Sequence, residues 1–467
     1  MRGAGRVHCR TMARIILTTF GSLGDLHPYL AVGLELKRRG HQAVIATHGL
    51  YRERVEAMLL EFAPVRPHHD EWGDLSGVLR DAMDAKRGSD VVLHKLVLPY
   101  LRQSRDDLLV ACRGADLVVD HVLTFTAPLV AEKLGLPRVS STLQPFAMFS
   151  RHDPPVAPAV AWLGRLRGLG PWPWRLLWAM GRAVTRPWFR ELDAMRAEMG
   201  LPPNPRHPML QGHSDQLHLV LFSRELAPPQ KDWPASAVQT GFPFHDRGVE
   251  GQGMPLALEV FLRQGDAPLV FTLGSSAVFA AGDFYVAAAE AARALNRRAV
   301  LLVGEQEVNE VPGVPAISHA PMGERIVAVP YAPHSELMPR SCATIHQGGV
   351  GTTAQAMRAG RPMLIVPFSH DQPDNAERCR QLGIARTLKR TQVSAAAFQR
   401  ELTALLADDR AAARAREVAG RMEREPGAAG AADAIEALLA KRPTPAPAFA
   451  GASPAGPGRG AVASQAG

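Results

Sequence analysis

A glycine-rich turn between a short apolar strand and a helix constrains this chain more than any other feature: His346-Gln-Gly-Gly-Val-Gly-Thr-Thr353. Before it, Ala343-Thr-Ile-His346 is too short and too β-branched for anything but the end of a buried strand. After it, Ala354-Gln-Ala-Met-Arg-Ala-Gly360 predicts a helix stopped by a C-cap glycine. Gly348, Gly349 and Gly351, with Val350 between them, therefore lie on a strand-to-helix turn. There, bare backbone N–H groups and the positive end of the helix dipole converge on one spot, which is a geometry that binds phosphate. His346 adds a neutral donor or a cation, and Thr352 and Thr353 add hydroxyls. The next apolar run, residues 361–368, delivers His370, Asp371, Gln372 and Asn375 to the same sheet edge, where open α/β sheets bind ligands. An acceptor-rich Asp-Gln pair beside a phosphate cradle suits a ligand that joins several hydroxyls to a diphosphate.

The rest of the chain repeats the strand–turn–helix rhythm, which predicts an α/β fold of two Rossmann-like doubly wound domains with a cleft between them. Residues 14–19 read as a strand, 20–28 as a Gly-rich turn carrying Gly24, Asp25 and His27, and 29–39 as a helix opened by Pro28. Strands follow at 41–47, 116–120 (ending in Asp120), 137–141 and 217–222. A Pro- and Trp-rich helical insertion near 150–210 interrupts them, and its run 174–188 reads as an amphipathic helix. This helix either packs on its own domain, lines an apolar cleft or lies on a membrane surface. The expected boundaries are 13–245 for the first domain, 246–255 for a polar Gly-rich linker and 256–441 for the second domain. In the second domain, strands at 268–272 and 298–303 precede the central turn, and Ala-rich helices from 395 to 441 close the fold. Residues 1–12 read as an extension ahead of Met12, itself a candidate start, and 442–467 as a disordered Pro/Ala/Gly tail.

Composition excludes several classes. In 467 residues, 53 Lys and Arg against 45 Asp and Glu leave a net charge of +8, but the Arg residues are scattered and not interleaved with aromatics, so nucleic acid is not an expected partner. The four cysteines (9, 112, 342 and 379) have neither CxxC pairing nor metal-ligand spacing, as expected in a reducing cytoplasm. No apolar run reaches the ~18 residues that cross a bilayer, and no signal-type apolar segment opens the chain.

The central turn, with Tyr331-Ala-Pro-His334, Leu337-Met-Pro339, Ala359-Gly-Arg-Pro362 and His370-Asp-Gln-Pro-Asp-Asn375 around it, resembles the donor signature of the UDP-glycosyltransferase-like family. These are nucleotide-sugar-dependent enzymes of the GT-B fold, and the likeness runs from about residue 13 to 440. Gly21-Ser-Leu-Gly-Asp-Leu-His-Pro28 is similar to the family's acceptor-side loop, as in its bacterial branch acting on macrolides, glycopeptides, sterols and lipids. The run from Phe222 through Ala227-Pro-Pro-Gln-Lys-Asp-Trp-Pro234 to Thr240-Gly-Phe-Pro243 resembles the rhamnosyltransferases of rhamnolipid synthesis.

The resemblance implies an inverting, metal-independent transfer of a hexose or deoxyhexose, such as rhamnose, to a hydroxyl of a hydrophobic, lipid-like acceptor. No cofactor beyond the dTDP- or UDP-sugar donor is implied, and no Asp-x-Asp metal motif occurs. Asp25 is the candidate general base, with His27 as its rival and Asp120 as an orienting group. His346, Gly348–Gly351 and Thr352 would hold the diphosphate, with Gly24 and Ser275 beside them. Asp371 and Gln372 would bind sugar hydroxyls, and Tyr331 would stack on the base. Where many relatives carry a ribose-binding Glu, this chain has Ala354, followed by Gln355. That departure weakens the case for a UDP ribose and is compatible with a deoxyribose donor such as dTDP-rhamnose, although sterol-type relatives also lack the Glu. Three alternatives stay open: a UDP-sugar glucosyltransferase of sterols or macrolides, a nicotinamide oxidoreductase and a non-catalytic partner protein. The oxidoreductase reading rests on Gly349-Val-Gly-Thr-Thr-Ala354, with Asp371 twenty residues beyond Gly351. A peripheral position at the inner membrane surface and a protein partner are further expectations.

Overall fold

Short apolar strands alternating with helices build two parallel sheets in a computed structural model that describes residues 12–156, 160, 163, 166, 168–245, 253–304 and 310–441. The expected N-terminal extension, most of the linker and the C-terminal tail fall outside these residues.

The first sheet contains β1 (Arg14–Thr18), β2 (Gln42–Thr47), β3 (Glu61–Pro64), β4 (Leu117–Asp120), β5 (Arg138–Thr142), β6 (Leu217–Val220) and β7 (Ala237–Gln239), in the order β3-β2-β1-β4-β5-β6-β7. The second contains β8 (Leu269–Thr272), β9 (Ala299–Leu302), β10 (Ile326–Val329), β11 (Ala343–His346), β12 (Met363–Ile365) and β13 (Ala385–Thr387), in the order β10-β9-β8-β11-β12-β13. Central strands are covered on both faces, so Ile15, Ile16 and Leu17 in β1 are fully buried, which requires the unbroken apolar runs seen in the sequence. Each sheet reverses its strand order once, between β1 and β4 and between β8 and β11. Ligands of open α/β sheets bind at such reversals, beyond the carboxyl ends of the strands. Among the described residues, no helix is long and apolar enough to cross a membrane.

The two halves are closely tied. Ala82, Met83 and Val91 leave the first half to join the apolar core of the second beside Phe284 and Phe398. The Ser369 hydroxyl donates to the Asp84 carbonyl at 2.9 Å. Arg378, on the helix Gln372–Gln381, pairs with the fully buried Asp374 at 2.8 Å and also with Asp153 of the first half. Removing one partner of such a pair strands a buried charge. Arg378→Met is therefore expected to lower stability by roughly 3–5 kcal/mol in urea unfolding, and a loss below ~1 kcal/mol would show that the pair is not desolvated.

The end of the chain differs from expectation. The helices Ala395–Leu406 and Asp409–Met422 close the second half, but Gly427–Ala440 returns to the first. It packs Ala431, Ala432 and Ile435 into the core formed by Leu30, Leu36 and Ile45. Arg39, at the end of the helix Leu23–Arg38, reaches Glu436 at 2.9 Å, and His41 Nε2 meets the same carboxylate at 3.0 Å. The small alanines let the last helix lie close, and its carboxylates find their counter-charges on the first half.

Candidate active site

The segment after β1 is the first half of the site. Residues 20–28 were expected to form a turn with the helix beginning at Pro28, but the helix begins at Leu23 with Ser22 as its N-cap. Asp25 is its third residue and closes a capping box: the Ser22 N–H and hydroxyl donate to Asp25 Oδ2 at 2.8 and 3.1 Å. Gly21 has to be glycine, because its φ is +137° and a Cβ would lie 2.3 Å from Asp25 Oδ2. The Gly21 carbonyl is held by the Tyr51 hydroxyl at 3.2 Å, and His48 Nε2 lies 3.2 Å from the same oxygen. With Oδ2 occupied, Asp25 Oδ1 is left without a hydrogen bond among the described residues, and its nearest charged or titratable neighbour is His121 Nε2 at 3.6 Å.

His121 was not anticipated. It follows Asp120 at the end of β4, and its N–H extends the ladder to the Thr18 carbonyl at 3.1 Å. Its ring is buried and packs edge-on to Tyr29, and burial lowers its pKa although Asp25 opposes the shift. The Leu123 N–H donates to Nδ1 at 3.5 Å, which leaves the ring proton of the neutral imidazole on Nε2, facing Asp25.

The other two acid–base candidates are engaged elsewhere. Asp120 points to the opposite side of β4 and forms a two-pronged pair with Arg138 at 3.0 and 2.9 Å, so it braces β4 against β5 and orients neither His27 nor a ligand. His27 stacks against His245 with ring centroids 5.5 Å apart, and burial, with His245, Arg54 and His334 nearby, lowers its pKa to about 3.

The second half of the site is the turn after β11. The helix Val350–Arg358 opens at Gly349, and no side chain caps it. Thr353 N–H is bonded to the Gly349 carbonyl at 2.9 Å, so the amides before it, in the first turn of the helix, have no intrahelical carbonyl to meet. Gly348 has φ +90°, and a Cβ there would come within 2.8 Å of Ile365 Cγ2. His346 is fully buried at the root of this turn, and burial, with His334 nearby, lowers its pKa to about 3. Its Nδ1 accepts the Gly348 N–H at 3.1 Å, so the neutral ring carries its proton on Nε2. That Nε2 has no partner among the described residues. A buried N–H without an acceptor costs free energy that a bound anion would recover. Ser275 is exposed on the parallel turn after β8, and a Cβ on its neighbour Gly274 would lie 3.4 Å from Thr352 Oγ1.

Asp371 caps the helix Gln372–Gln381 and accepts from Asn375 Nδ2 at 2.6 Å, while the same Nδ2 donates to the Gly348 carbonyl at 2.9 Å. Gln372 departs from its expected role. Its Oε1 turns inward to accept the N–H groups of Phe368 and Ser369 at 2.8 and 3.2 Å, leaving only its amide nitrogen for a ligand. Tyr331 sits half-buried two residues beyond the end of β10. Burial pushes the Asp371 carboxyl up to about 7, with the Asn375 hydrogen bond opposing and the charge of Asp25 adding to the rise. The protonated acid is thus the form the fold favours. Its contribution to stability is full below the ordinary carboxyl range and is lost as pH rises through 7. Asp371→Asn is accordingly expected to make the melting temperature of the ligand-free protein fall less, or rise more, between pH 5.5 and 8 than that of the native chain. An unchanged slope in the variant would remove Asp371 from the account.

The two halves meet. A Cβ on Gly351 would lie 3.6 Å from the Cα of Gly24, the residue before Asp25, so the helix turn that bears the carboxylate abuts the phosphate-type turn. After β1, a small cavity of about 20 Å³ is lined by Phe20, Val65, Val97, Leu101, Leu123 and Phe125, among others.

Comparison with known proteins finds glycosyltransferases along the length of the chain. Residues 15–146 match the glycosyltransferase family 28 N-terminal domain, and 302–438 match the C-terminal domain of erythromycin biosynthesis protein CIII-like proteins. The chain is 31% identical to O-mycaminosyltylonolide 6-deoxyallosyltransferase of Streptomyces fradiae, over 92% of this chain and 99% of that protein. It is 26% identical to a sterol 3-beta-glucosyltransferase of Debaryomyces hansenii, over 91% of this chain but 27% of that longer protein. Among solved structures, the calicheamicin glycosyltransferase CalG4 superposes with a TM-score of 0.69 at 21% identity, covering 92% of this chain and 99% of that one. The spinosyn rhamnosyltransferase SpnG superposes with a TM-score of 0.62 at 17% identity, covering 91% and 100%. With a deoxyallosyltransferase aligned from end to end and the GT-B architecture in both halves, the chain belongs to the UDP-glycosyltransferase-like family of nucleotide-sugar glycosyltransferases.

Proposed function

We propose that this enzyme transfers a deoxyhexose, rhamnose being one candidate, from a dTDP-sugar to a hydroxyl of an apolar acceptor of macrolide, sterol or lipid type, with inversion and without a metal. The observation that carries the reading is the abutment of the first turn of the Leu23–Arg38 helix, which bears Asp25, on the Gly348–Gly351 turn, with a carboxylate oxygen free of hydrogen bonds among the described residues. In the reaction, the acceptor hydroxyl gives its proton to Asp25 Oδ1 as its oxygen bonds to the anomeric carbon. The bond from that carbon to the diphosphate breaks on the opposite face, and the leaving charge falls on His346 Nε2–H and the first-turn amides. His121 Nε2–H faces the same carboxylate oxygen. Asp371 and the Gln372 amide nitrogen bind sugar hydroxyls, and Tyr331 stacks on the base.

Three features support the finer reading. Ala354 stands buried where a ribose-binding carboxylate would be, which suits a deoxyribose. A relative named as a deoxyallosyltransferase aligns over 99% of its length, and one structural neighbour was solved with thymidine diphosphate. A UDP-sugar glucosyltransferase of sterols remains the second reading, on the strength of the sterol relatives. The test is turnover of dTDP-rhamnose and UDP-glucose against macrolactone, sterol and hydroxy-fatty acceptors in EDTA, with the product anomer read by NMR. Transfer from the dTDP-sugar with inversion supports the proposal. Retention, a metal requirement or transfer from UDP-glucose alone would each overturn the corresponding part.

A further inference from the structure

The helix Trp172–Thr185, with the turn that follows it, turns its apolar side outward. Trp172, Leu176, Met180, Val184 and Trp188 recur at every fourth position, and they are 62, 61, 59, 63 and 37% exposed. Residues four apart neighbour one another on a helix surface, so these side chains form one continuous stripe. Seven of the sixteen exposed large apolar side chains among the described residues lie between 160 and 188, so the stripe is a local concentration and not the ordinary scatter of a surface. The inward side carries Trp174 and Trp178, and Trp178 packs edge-on to Phe149 with ring centroids 5.6 Å apart.

The charges carried by the helix and its following turn have one sign. Residues 168–190 contain Arg175, Arg182, Arg186 and Arg190 and no carboxylate. Arg186 pairs with Asp193, whereas Arg175, Arg182 and Arg190 make no ion pair among the described residues. Arg175, Trp178 and Arg182 also form one wall of a surface cavity of about 480 Å³ that includes Arg151, Arg206, Asp215 and Asp232. There, Arg206 is matched by Asp215 at 2.8 Å and Arg151 by Asp232 at 3.7 Å, which leaves the two helix arginines as the uncompensated charges of the cavity.

We propose that this face docks on an anionic phospholipid membrane. The Trp172–Trp188 stripe enters the boundary between headgroups and acyl chains, and a lipid phosphate sits in the cavity between Arg175 and Arg182. An apolar helix face rimmed by arginine, with tryptophan at both ends, matches the chemistry of that boundary: apolar area drives insertion and anionic lipid supplies the counter-charge. A second copy of the chain would bring the same positive charges against themselves, which disfavours self-association through this face. The inference stands apart from the sugar chemistry, because binding to a bilayer needs no donor.

The test is sedimentation with vesicles of phosphatidylcholine alone or mixed with phosphatidylglycerol, using the tryptophan emission as a second readout. The full-length protein is expected to sediment with the anionic vesicles and not the zwitterionic ones, with a blue shift that brominated lipid quenches. Leu176→Ser/Met180→Ser, made at exposed positions, and Arg175→Glu/Arg182→Glu should each weaken binding at least about ten-fold. Thermal stability and thymidine diphosphate binding should stay native, so that a folding defect or a failed donor site would be recognised separately. Sedimentation with neither vesicle, undiminished binding by the two double variants, or a native dimer that Leu176→Ser/Met180→Ser splits would overturn the proposal.

Discussion

Asp25→Asn is expected to lower kcat by about 10²–10⁴-fold, the range that a positioned general base supplies. Affinity for thymidine diphosphate should be unchanged. The separation follows from the two oxygens of Asp25. Oδ2 holds the N-terminus of the helix through the Ser22 N–H and hydroxyl, a role that the Asn carbonyl oxygen can keep. Oδ1 faces His121 and makes no hydrogen bond among the described residues, and only a carboxylate there can take a proton. Near-native turnover in the variant would assign the base elsewhere. His121→Ala should give a smaller loss, in kcat and not in KM, because the ring acts through its contact with Asp25.

His346→Ala is the second large effect: a fall in kcat of about 10²–10³, equivalent to roughly 3 kcal/mol of barrier, from removing one donor to the developing diphosphate charge. The side chain has two roles, since Nδ1 also steadies the turn by accepting the Gly348 N–H. His346→Gln, which restores a donor near the same place, should recover part of kcat, whereas a purely structural histidine would show matched losses in stability and KM and no recovery. Burial keeps the ring neutral, with its pKa lowered to about 3, so the donor works as a neutral N–H in the ligand-free enzyme through the physiological range.

The turn after β11 was legible because residue chemistry and topology coincide there. A glycine with φ +90°, a histidine at a strand end and a helix start are each visible in the residues 346–353, and their meeting point is fixed by the sheet reversal between β8 and β11. The interior strands were legible for the same reason, since burial on both faces leaves no choice but apolar residues. The four strands not anticipated, β3, β7, β10 and β13, are the edges of the two sheets. Three of them are partly exposed, with compositions such as Glu-Phe-Ala-Pro and Ala-Arg-Thr, and the fourth is a buried run only four residues long. Such segments carry no period that separates them from loops.

The errors in the site have a related cause. A carboxylate at a strand end looks chemical, which favours Asp120 over His121, yet successive strand residues face opposite ways, and the one next to Asp25 is His121. Arg138, which neutralises Asp120, lies on β5, and nothing local announces that pairing. Pro28 suits a helix start and so suggests a loop at Asp25, whereas the capping box formed with Ser22 begins the helix five residues earlier. The destination of the Gly427–Ala440 helix, like the outward turn of the Trp172–Trp188 stripe, depends on contacts between distant parts of the chain and has no local signature.

The most direct test of the central claim is an equilibrium thermal-shift titration of the native protein, in EDTA, with thymidine diphosphate, uridine diphosphate and NADPH. If residues 346–353 cradle a nucleoside diphosphate without metal, thymidine diphosphate at ~100 times its dissociation constant stabilises the fold by ~2.7 kcal/mol, uridine diphosphate does less, and His346→Ala loses the effect. Stabilisation by NADPH with no response to either diphosphate would contradict the account.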